Sequence, residues 1–470
     1  MIRMKILGYI LFGFILLGNV FTIHAQLTFT IPEYKIFERI EGNADATIMY
    51  STERRKWRKN INPSLWVVGS ENFTHTSLPN LTLPTNILLW QLHSIGGIDP
   101  LFHHHDYMPG FQFFTSAPQA WYYPRKRSHP EGNIVFNFNM PSSAFANNKF
   151  VAGEYAINID QNYPEFYLTT TSIVLNVPKA ITWFSGLNNS YTLLNSLNSY
   201  RYAPSQVGTN FGDYTIASTV DFKFFAKSAS STIQFTSTSG EQGTRNIGLI
   251  KLTSDNPKIA TLPLTANWQD FTPSNNFNVE VGNRNTFEIS SLISNSDFKT
   301  HFYEAGDYIF TINLGVLSTD GSIYDIHNLT YSLRVEPLSE IIVPPSGNTV
   351  NFTFNTAEHY QNGQSQTVFN QLRISNNETY ELNVKTDSPY FKIGGIQSNV
   401  PAAILEVGVE GGLPPVTLST TSQKIISNGT PVLDKNLNIT YRISPRAARS
   451  LVSKERDTYS INVIYSFTAL

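Results

Sequence analysis

The chain has 470 residues, of which 41% are hydrophobic, 13% aromatic and only 14% charged. Because charged residues usually make up about 25% of a globular protein, this composition excludes a coiled coil and a charge-driven disordered chain. The 33 basic and 35 acidic residues give a net charge of −2, which provides no general attraction to nucleic acid. The sequence contains no cysteine, which excludes disulfides and thiolate chemistry.

The N-terminus has the pattern of a secretory signal peptide. Arg3 and Lys5 precede an apolar run over residues 6–17, and the small Ala25 stands at a plausible cleavage position. The run is shorter than the roughly 20 residues of a membrane span, which is the alternative interpretation. We therefore predict residues 1–25 as a cleaved signal peptide and a mature protein that is secreted, at the bacterial cell surface or in the periplasm.

Alternating apolar residues predict β-strands along the rest of the chain. Clear examples are residues 134–140, 350–354 and 461–467, in which every second side chain is apolar. Helical periodicity is nearly absent, and only residues 445–453 could form a turn or two of helix. These patterns predict an all-β fold.

The strands are repeated at a longer period. Similar segments carry Tyr155, Tyr308 and Tyr459, which are spaced by about 150 residues, and such self-similarity is typical of arrayed modules. A strand is predicted before each tyrosine, at residues 134–140, 277–281 and 437–443. We predict three tandem immunoglobulin-like β-sandwich modules, each the size of a complete domain.

Prolines mark the joins between the modules, because proline cannot donate in a ladder and stiffens a connection. The predicted modules are residues 26–178, 179–338 and 339–470, with Pro178 and Pro337 at the joins.

The first and third modules also match each other further back. Residues 65–67 align with 382–384, and residues 84–88 align with 401–405. The first module carries extra residues after Leu92.

The end of the third module resembles the sandwich domains of bacterial pilins and fimbrial adhesins. The resemblance is carried by the strand pair at residues 437–443 and 459–467 and by the Gly-Asp/Glu-Tyr start of the strands at Tyr155 and Tyr308. It implies surface assembly by strand exchange, in which the alternating residues 26–31 could be a donated strand. The alternative is that residues 26–31 form the first strand of the first module.

The extra loop of the first module contains candidate metal ligands. His103 and His105 would point to the same side of an extended segment and, with Asp106, could hold zinc or another divalent cation. The alternative is a polar loop at the tip of a sandwich. We expect no cofactor.

A neighbouring segment of the first module could bind a ligand. Exposed Trp and Tyr rings stack against sugars, and basic runs attract anionic polysaccharides. The alternative is a larger core with a solvated loop. The candidate residues are Trp121, Tyr122, Tyr123, Arg125, Lys126 and Arg127.

No catalytic motif is recognisable, neither a nucleophile elbow nor a phosphate loop nor a dinucleotide fingerprint. The sequence therefore predicts a non-catalytic structural or adhesive protein, a fimbrial or surface-assembly subunit with the first module as its binding tip. The alternative is a stand-alone carbohydrate-binding protein of the bacterial envelope. The expected partners are a surface glycan or another protein subunit, with no nucleic acid and no transmembrane segment after signal cleavage.

Overall fold

The computed structural model of the protein describes residues 25–51, 62–96, 109–121, 132–162 and 166–469. These residues form β-sheets joined by turns and by helices of four to seven residues, so the predicted all-β fold is confirmed. The strands belong to three successive groups, which we call the first, second and third units. None of the helices in these ranges is long and apolar enough to cross a bilayer.

The first unit packs two sheets around one hydrophobic cluster. The sheet orders are β1-β12-β10-β3-β8, with β4 and β5 attached, and β11-β2-β9-β6-β7. The elements are β1 (Ala25–Thr30), α1 (Glu33–Glu38), β2 (Gly42–Ser51), β3 (Ser64–Val68), β4 (Asn72–His75), β5 (Thr82–Pro84), β6 (Leu89–Ile95), β7 (Gln112–Phe113), β8 (Gln119–Ala120), β9 (Gly132–Met140), α2 (Ser142–Asn147), β10 (Gly153–Gln161), β11 (Tyr167–Leu168) and β12 (Thr170–Val177).

The second unit repeats this plan around its own cluster. Its sheet orders are β13-β15-β22-β19-β20 and β14-β24-β23-β16-β21, with β17 and β18 attached to the latter. The elements are β13 (Ile181–Ser185), β14 (Asn189–Leu194), α3 (Asn198–Arg201), β15 (Gln206–Ser218), β16 (Phe222–Ser228), β17 (Thr232–Ser237), β18 (Gln242–Asn246), β19 (Lys251–Ser254), β20 (Leu262–Pro263), β21 (Gln269–Asp270), β22 (Arg284–Ser294), α4 (Asn295–His301), β23 (Gly306–Ser318) and β24 (Tyr324–Val335).

The third unit has one full sheet, β25-β26-β33-β30-β31, facing a shorter one, β32-β27-β34, with the hairpin β28-β29 beside it. The elements are β25 (Ser339–Ile342), α5 (Ala357–Asn362), β26 (Gln364–Asn376), β27 (Tyr380–Thr386), β28 (Tyr390–Ile393), β29 (Ile396–Pro401), β30 (Leu405–Val409), β31 (Val416–Thr417), β32 (Gln423–Gly429), β33 (Val432–Ile443), α6 (Pro445–Arg449) and β34 (Val463–Ala469). The predicted joins at residues 178 and 338 fall between β12 and β13 and just before β25.

The three repeated tyrosines make the same hydrogen bond. The hydroxyls of Tyr155, Tyr308 and Tyr459 each donate to the backbone carbonyl four residues earlier, at 2.9 Å in every case. A tyrosine that bonds its own upstream backbone at this corner is a hallmark of immunoglobulin-like sandwiches. The sequence repeat therefore marks one structural position in all three units.

Successive units are joined by equivalent backbone hydrogen bonds. The amide of Ala152 donates to the carbonyl of Thr219 at 2.7 Å, and the amide of Ala305 donates to the carbonyl of Asn377 at 2.9 Å. Each acceptor directly follows the long strand β15 or β26. Ala152 and Ala305 directly precede β10 and β23, the strands that carry Tyr155 and Tyr308. The same position in the first two units thus makes the same hydrogen bond to the unit that follows.

Polar side chains strengthen both joints. At the first, the buried amide of Asn283 accepts from the amide of Phe150 and donates to the carbonyls of Phe150 and Ser218. At the second, the Arg201 guanidinium bonds both carboxylate oxygens of Asp434 and also contacts Glu340. The hydrogen bonds of Arg201 hold the pKa of the Asp434 carboxyl below its usual range.

Two predicted strands are wrong. In the second unit the strand before Tyr308 is β22, not residues 277–281, because Gly282 and Asn283 adopt left-handed backbone angles that separate the two segments. Phe277 retains only an isolated bridge to the start of β16. In the third unit the alternating residues 350–354 belong to no ladder.

Candidate functional site

The strand that completes the first two units lies between two neighbours of opposite direction. In the first unit β12 runs antiparallel to β10 and parallel to β1. In the second unit β24 runs antiparallel to β23 and parallel to β14. One strand therefore bridges the first and last parts of each unit and closes its core.

The described part of the third unit has no strand at this place. β34 corresponds to β23, but it pairs only with β27, so its other edge has no ladder partner among residues 339–469. Residues 349–354 correspond to β14, and their backbone amides and carbonyls make no backbone hydrogen bond within the described ranges. By this correspondence the strand position between the two segments is unfilled within the described residues, and we call it the acceptor groove.

The core-facing side chains of β34 are more exposed than those of β23. In β23 the core-facing residues Ile312, Leu314 and Val316 are at most 1% exposed. The core-facing residues of β34 are only partly buried against their cluster, although they pair with β27 as β23 pairs with β16. Their apolar surface is the floor of the acceptor groove.

The opposite wall is held in place without a ladder. Val350, Phe352 and Phe354 pack against the hydrophobic cluster of the third unit. The ring of Phe354 lies 5.3 Å from that of Tyr360, whose hydroxyl donates to the Phe354 carbonyl at 3.0 Å. The side-chain amide of Gln364 donates to the Thr353 carbonyl at 2.6 Å, so the segment is anchored at its end, and its backbone makes no ladder within the described ranges.

The equivalent strand of the second unit specifies what would fill the groove. From Leu329 to Val335, β24 buries an apolar side chain at every second position, and each is at most 4% exposed. These residues are Leu329, Tyr331, Leu333 and Val335. A strand in the acceptor groove would run antiparallel to β34 and parallel to residues 349–354, with the same alternation.

One polar contact interrupts the apolar core beneath the groove. The hydroxyls of Tyr441 and Tyr465 lie 2.7 Å apart and share a hydrogen bond. Burial raises the pKa of both hydroxyls above the usual tyrosine value, so both stay neutral at physiological pH. The pair satisfies two polar groups that would otherwise be costly in the core.

Trp121 is a core residue and not an exposed stacking surface. Its side chain is 1% exposed, and its ring packs edge-on against Phe136 at 5.6 Å and Phe166 at 5.5 Å. Phe271, which follows β21 as Trp121 follows β8, is buried in the same way. The indole supplies core volume at this position, so its face is not available to a sugar.

The other predicted ligand-binding residues, Tyr122, Tyr123, Arg125, Lys126 and Arg127, lie outside the described residues, as do the predicted metal ligands His103, His105 and Asp106. Their roles stay predictions. Within the described ranges no three His, Asp or Glu side chains are grouped closely enough to hold a metal ion.

The N-terminal segment is used inside its own chain. Residues 26–30 belong to β1, which pairs with β12, and Leu27 and Phe29 pack against the core of the first unit. Ile31 is 4% exposed in the same core. In this structure the segment is the first strand of its own unit, which is the alternative to strand donation.

No family model and no curated protein matches the chain. Solved structures that match include three from fimbrial adhesion systems. The adhesive subunit CfaE of CFA/I fimbriae of Escherichia coli has 10% identity and a TM-score of 0.26, over 66% of this chain and 98% of that one. The CsuC–CsuE chaperone–tip adhesion subunit complex of Acinetobacter baumannii has 14% identity and a TM-score of 0.27, over 61% of this chain and 99% of that one. The CupB6 tip adhesin of Pseudomonas aeruginosa has 8% identity and a TM-score of 0.23, over 63% of this chain and 90% of that one.

Proposed function

We propose that the protein is a non-catalytic structural or adhesive subunit of a bacterial surface assembly, and that a β-strand of another polypeptide completes its third unit. The observation that carries the proposal is the acceptor groove, which lies where the first two units each place their own closing strand. An added strand would gain backbone hydrogen bonds from both walls and would bury alternate apolar side chains.

The proposal gives the three units different roles. The third unit attaches the subunit to its neighbour, and the hydrogen-bonded joints transmit that attachment through the second unit. The first unit, whose closing strand is its own, is then free to be the binding tip. A secretory signal on residues 1–25 would deliver the protein to the periplasm or the cell surface.

Peptide complementation tests the proposal. The probe is a synthetic copy of β24, residues Tyr324–Val335, because this strand fills the matching position in the second unit. The control peptide has the same composition, with its apolar residues moved by one position, which turns them to the opposite face. We expect saturable 1:1 binding of the first peptide only. At 100 times the dissociation constant, it should stabilise the third unit by about 2.7 kcal/mol.

Three variants show whether the peptide occupies the acceptor groove. Phe467→Lys changes its floor and Phe352→Lys changes its wall, so each should abolish binding. Phe369→Lys is the matched control, because this phenylalanine on β26 is 72% exposed and should leave binding unchanged. Equal binding of both peptides, no saturable binding, or full binding by both groove variants would contradict the proposal.

A further inference from the structure

The outer face of the second unit carries an exposed tryptophan in a defined position. Trp268 directly precedes β21 and is 42% exposed. A Cβ atom added to Gly315 on β23 would meet two atoms of the indole six-membered ring, at 2.9 and 3.1 Å. The ring therefore rests directly on the sheet backbone, and only glycine at position 315 leaves room for it.

The loop that presents this ring is held by hydrogen bonds on both sides. The Thr265 hydroxyl donates to the Asn267 carbonyl at 2.9 Å, and the Gln269 amide donates to the Pro263 carbonyl at 2.9 Å. One residue further on, Asp270 is paired with Lys223 at 2.8 Å. The position of the indole is thus fixed before any ligand arrives, which reduces the entropic cost of binding.

Hydrogen-bonding groups lie in the neighbouring row of the same face. Ladder pairing places Lys227 opposite Asn313, and Asn313 opposite Asn328. The side-chain amide of Asn313 donates to the side-chain oxygen of Asn328 at 2.6 Å. The side-chain nitrogen of Asn328, Nδ2, donates no hydrogen bond within the described chain. A fixed pair of amides therefore offers donors and acceptors beside the tryptophan.

One positive charge lies over the ring and has no carboxylate partner. The Lys227 ammonium is 5.0 Å from the centroid of the Trp268 ring in a cation–π contact, and among the described residues it forms no ion pair. Ile326, which pairs with Gly315 and is 44% exposed, extends the apolar surface on the other side. The face thus combines a flat aromatic ring, a short apolar extension, two amides and an unpaired cation.

We propose that this face, which we call the Trp268 platform, binds a pyranose that carries a carboxylate. The C–H face of the sugar would stack on the indole, as apolar surfaces do on aromatic rings. Its hydroxyls would bond the amides of Asn313 and Asn328, and its carboxylate would draw the Lys227 ammonium off the indole and into an ion pair. A neutral sugar could use the first two contacts but not the third, so charge gives the site its preference.

Titration of the full chain with three sugars tests this proposal. The probes are trigalacturonate and sialyllactose, which are acidic, and lactose, which is neutral. Isothermal titration calorimetry should give saturable binding of both acidic sugars, at least about 5-fold tighter than lactose, as expected for one added charge-assisted contact. Binding of only one acidic sugar would still support a carboxylated pyranose and would identify its source.

Two variants and one control separate the contacts. Trp268→Ala should weaken binding of the acidic sugars at least about 10-fold, because it removes the stacking surface. Lys227→Gln should abolish the preference for acidic over neutral sugar while weak lactose binding persists. Tyr202→Ala removes an 80% exposed aromatic ring on the segment after α3 and should change nothing.

Three results would overturn the proposal. They are no saturable binding of either acidic sugar, undiminished binding by Trp268→Ala, and a preference for acidic sugar that survives Lys227→Gln. The thermal unfolding temperature of Trp268→Ala is measured beside that of the parent, and an unchanged value shows that the loss of binding is local. Lys227→Gln leaves the ring in place and tests the site independently. None of these outcomes depends on the acceptor groove, so the two proposals can fail separately.

Discussion

The corner tyrosines allow one chemical change to be compared at two degrees of burial. Replacement by phenylalanine keeps the ring and removes the hydroxyl, and with it the 2.9 Å hydrogen bond to the backbone. Tyr155 and Tyr308 are at most 1% exposed, whereas Tyr459 is only partly buried. Burial raises the pKa of Tyr155 to about 12, consistent with a hydroxyl held away from water.

The expected cost follows from what happens to the abandoned carbonyl. A hydrogen bond contributes about 0.5–1.5 kcal/mol net, but a buried carbonyl left without a partner raises the loss to about 1–3 kcal/mol. We therefore expect about 1–3 kcal/mol for Tyr155→Phe and Tyr308→Phe. At Tyr459 water can replace the lost donor, so Tyr459→Phe should cost at most about 0.5 kcal/mol.

Hydrogen exchange during urea unfolding, resolved by peptide, assigns each loss to its unit. For units of about 150 residues, 1 kcal/mol corresponds to a shift of about 2–4 °C in the unfolding temperature. Equal losses for Tyr308→Phe and Tyr459→Phe would refute the reasoning from burial. No loss for Tyr308→Phe would refute the structural role of the corner itself.

Two further predictions concern the joints. Asn283→Ala removes the amide that bonds Phe150 and Ser218 and places alanine at a left-handed backbone angle. We therefore expect the free energy of unfolding, measured in urea, to fall by about 2–4 kcal/mol. A fall of less than about 1 kcal/mol would contradict this expectation. At the second joint, Arg201 lowers the folded-state pKa of Asp434, so this stabilisation is present above the unfolded pKa of about 3.9 and is lost as pH falls through the folded value. The stability difference between the parent and Asp434→Asn should therefore be constant from pH 7 to 5 and shrink progressively below about pH 4, and a difference that is undiminished at pH 3 would argue against it.

Much of the fold could be read from local patterns. Alternation located β9 and β33, and the aligned residues 84–88 and 401–405 each contain a 3-10 turn, at Thr85–Ile87 and Ala402–Ile404. The helix predicted at residues 445–453 is α6, and Ser444 caps its start by accepting from the Ala447 amide. These features depend on backbone preferences and side-chain polarity within a few residues, which a sequence records directly.

The candidate sites could not be read in the same way. Trp121 has the composition of a binding residue, but its burial depends on Phe136 and Phe166, which come from other parts of the chain. The Trp268 platform was missed because its members lie on three strands and in a loop, and only Gly315 beneath the ring brings them together. Composition reports which residues are available, not which face they occupy.

The sequence by itself determined that every second residue of 350–354 and 461–467 is apolar, and that three tyrosines recur at one spacing. Only the tertiary structure decided that the first segment has no ladder and that the second, as β34, is paired on one edge. The physical reason is that a side-chain pattern fixes which face of a strand is buried, whereas a ladder needs a second backbone at hydrogen-bonding distance.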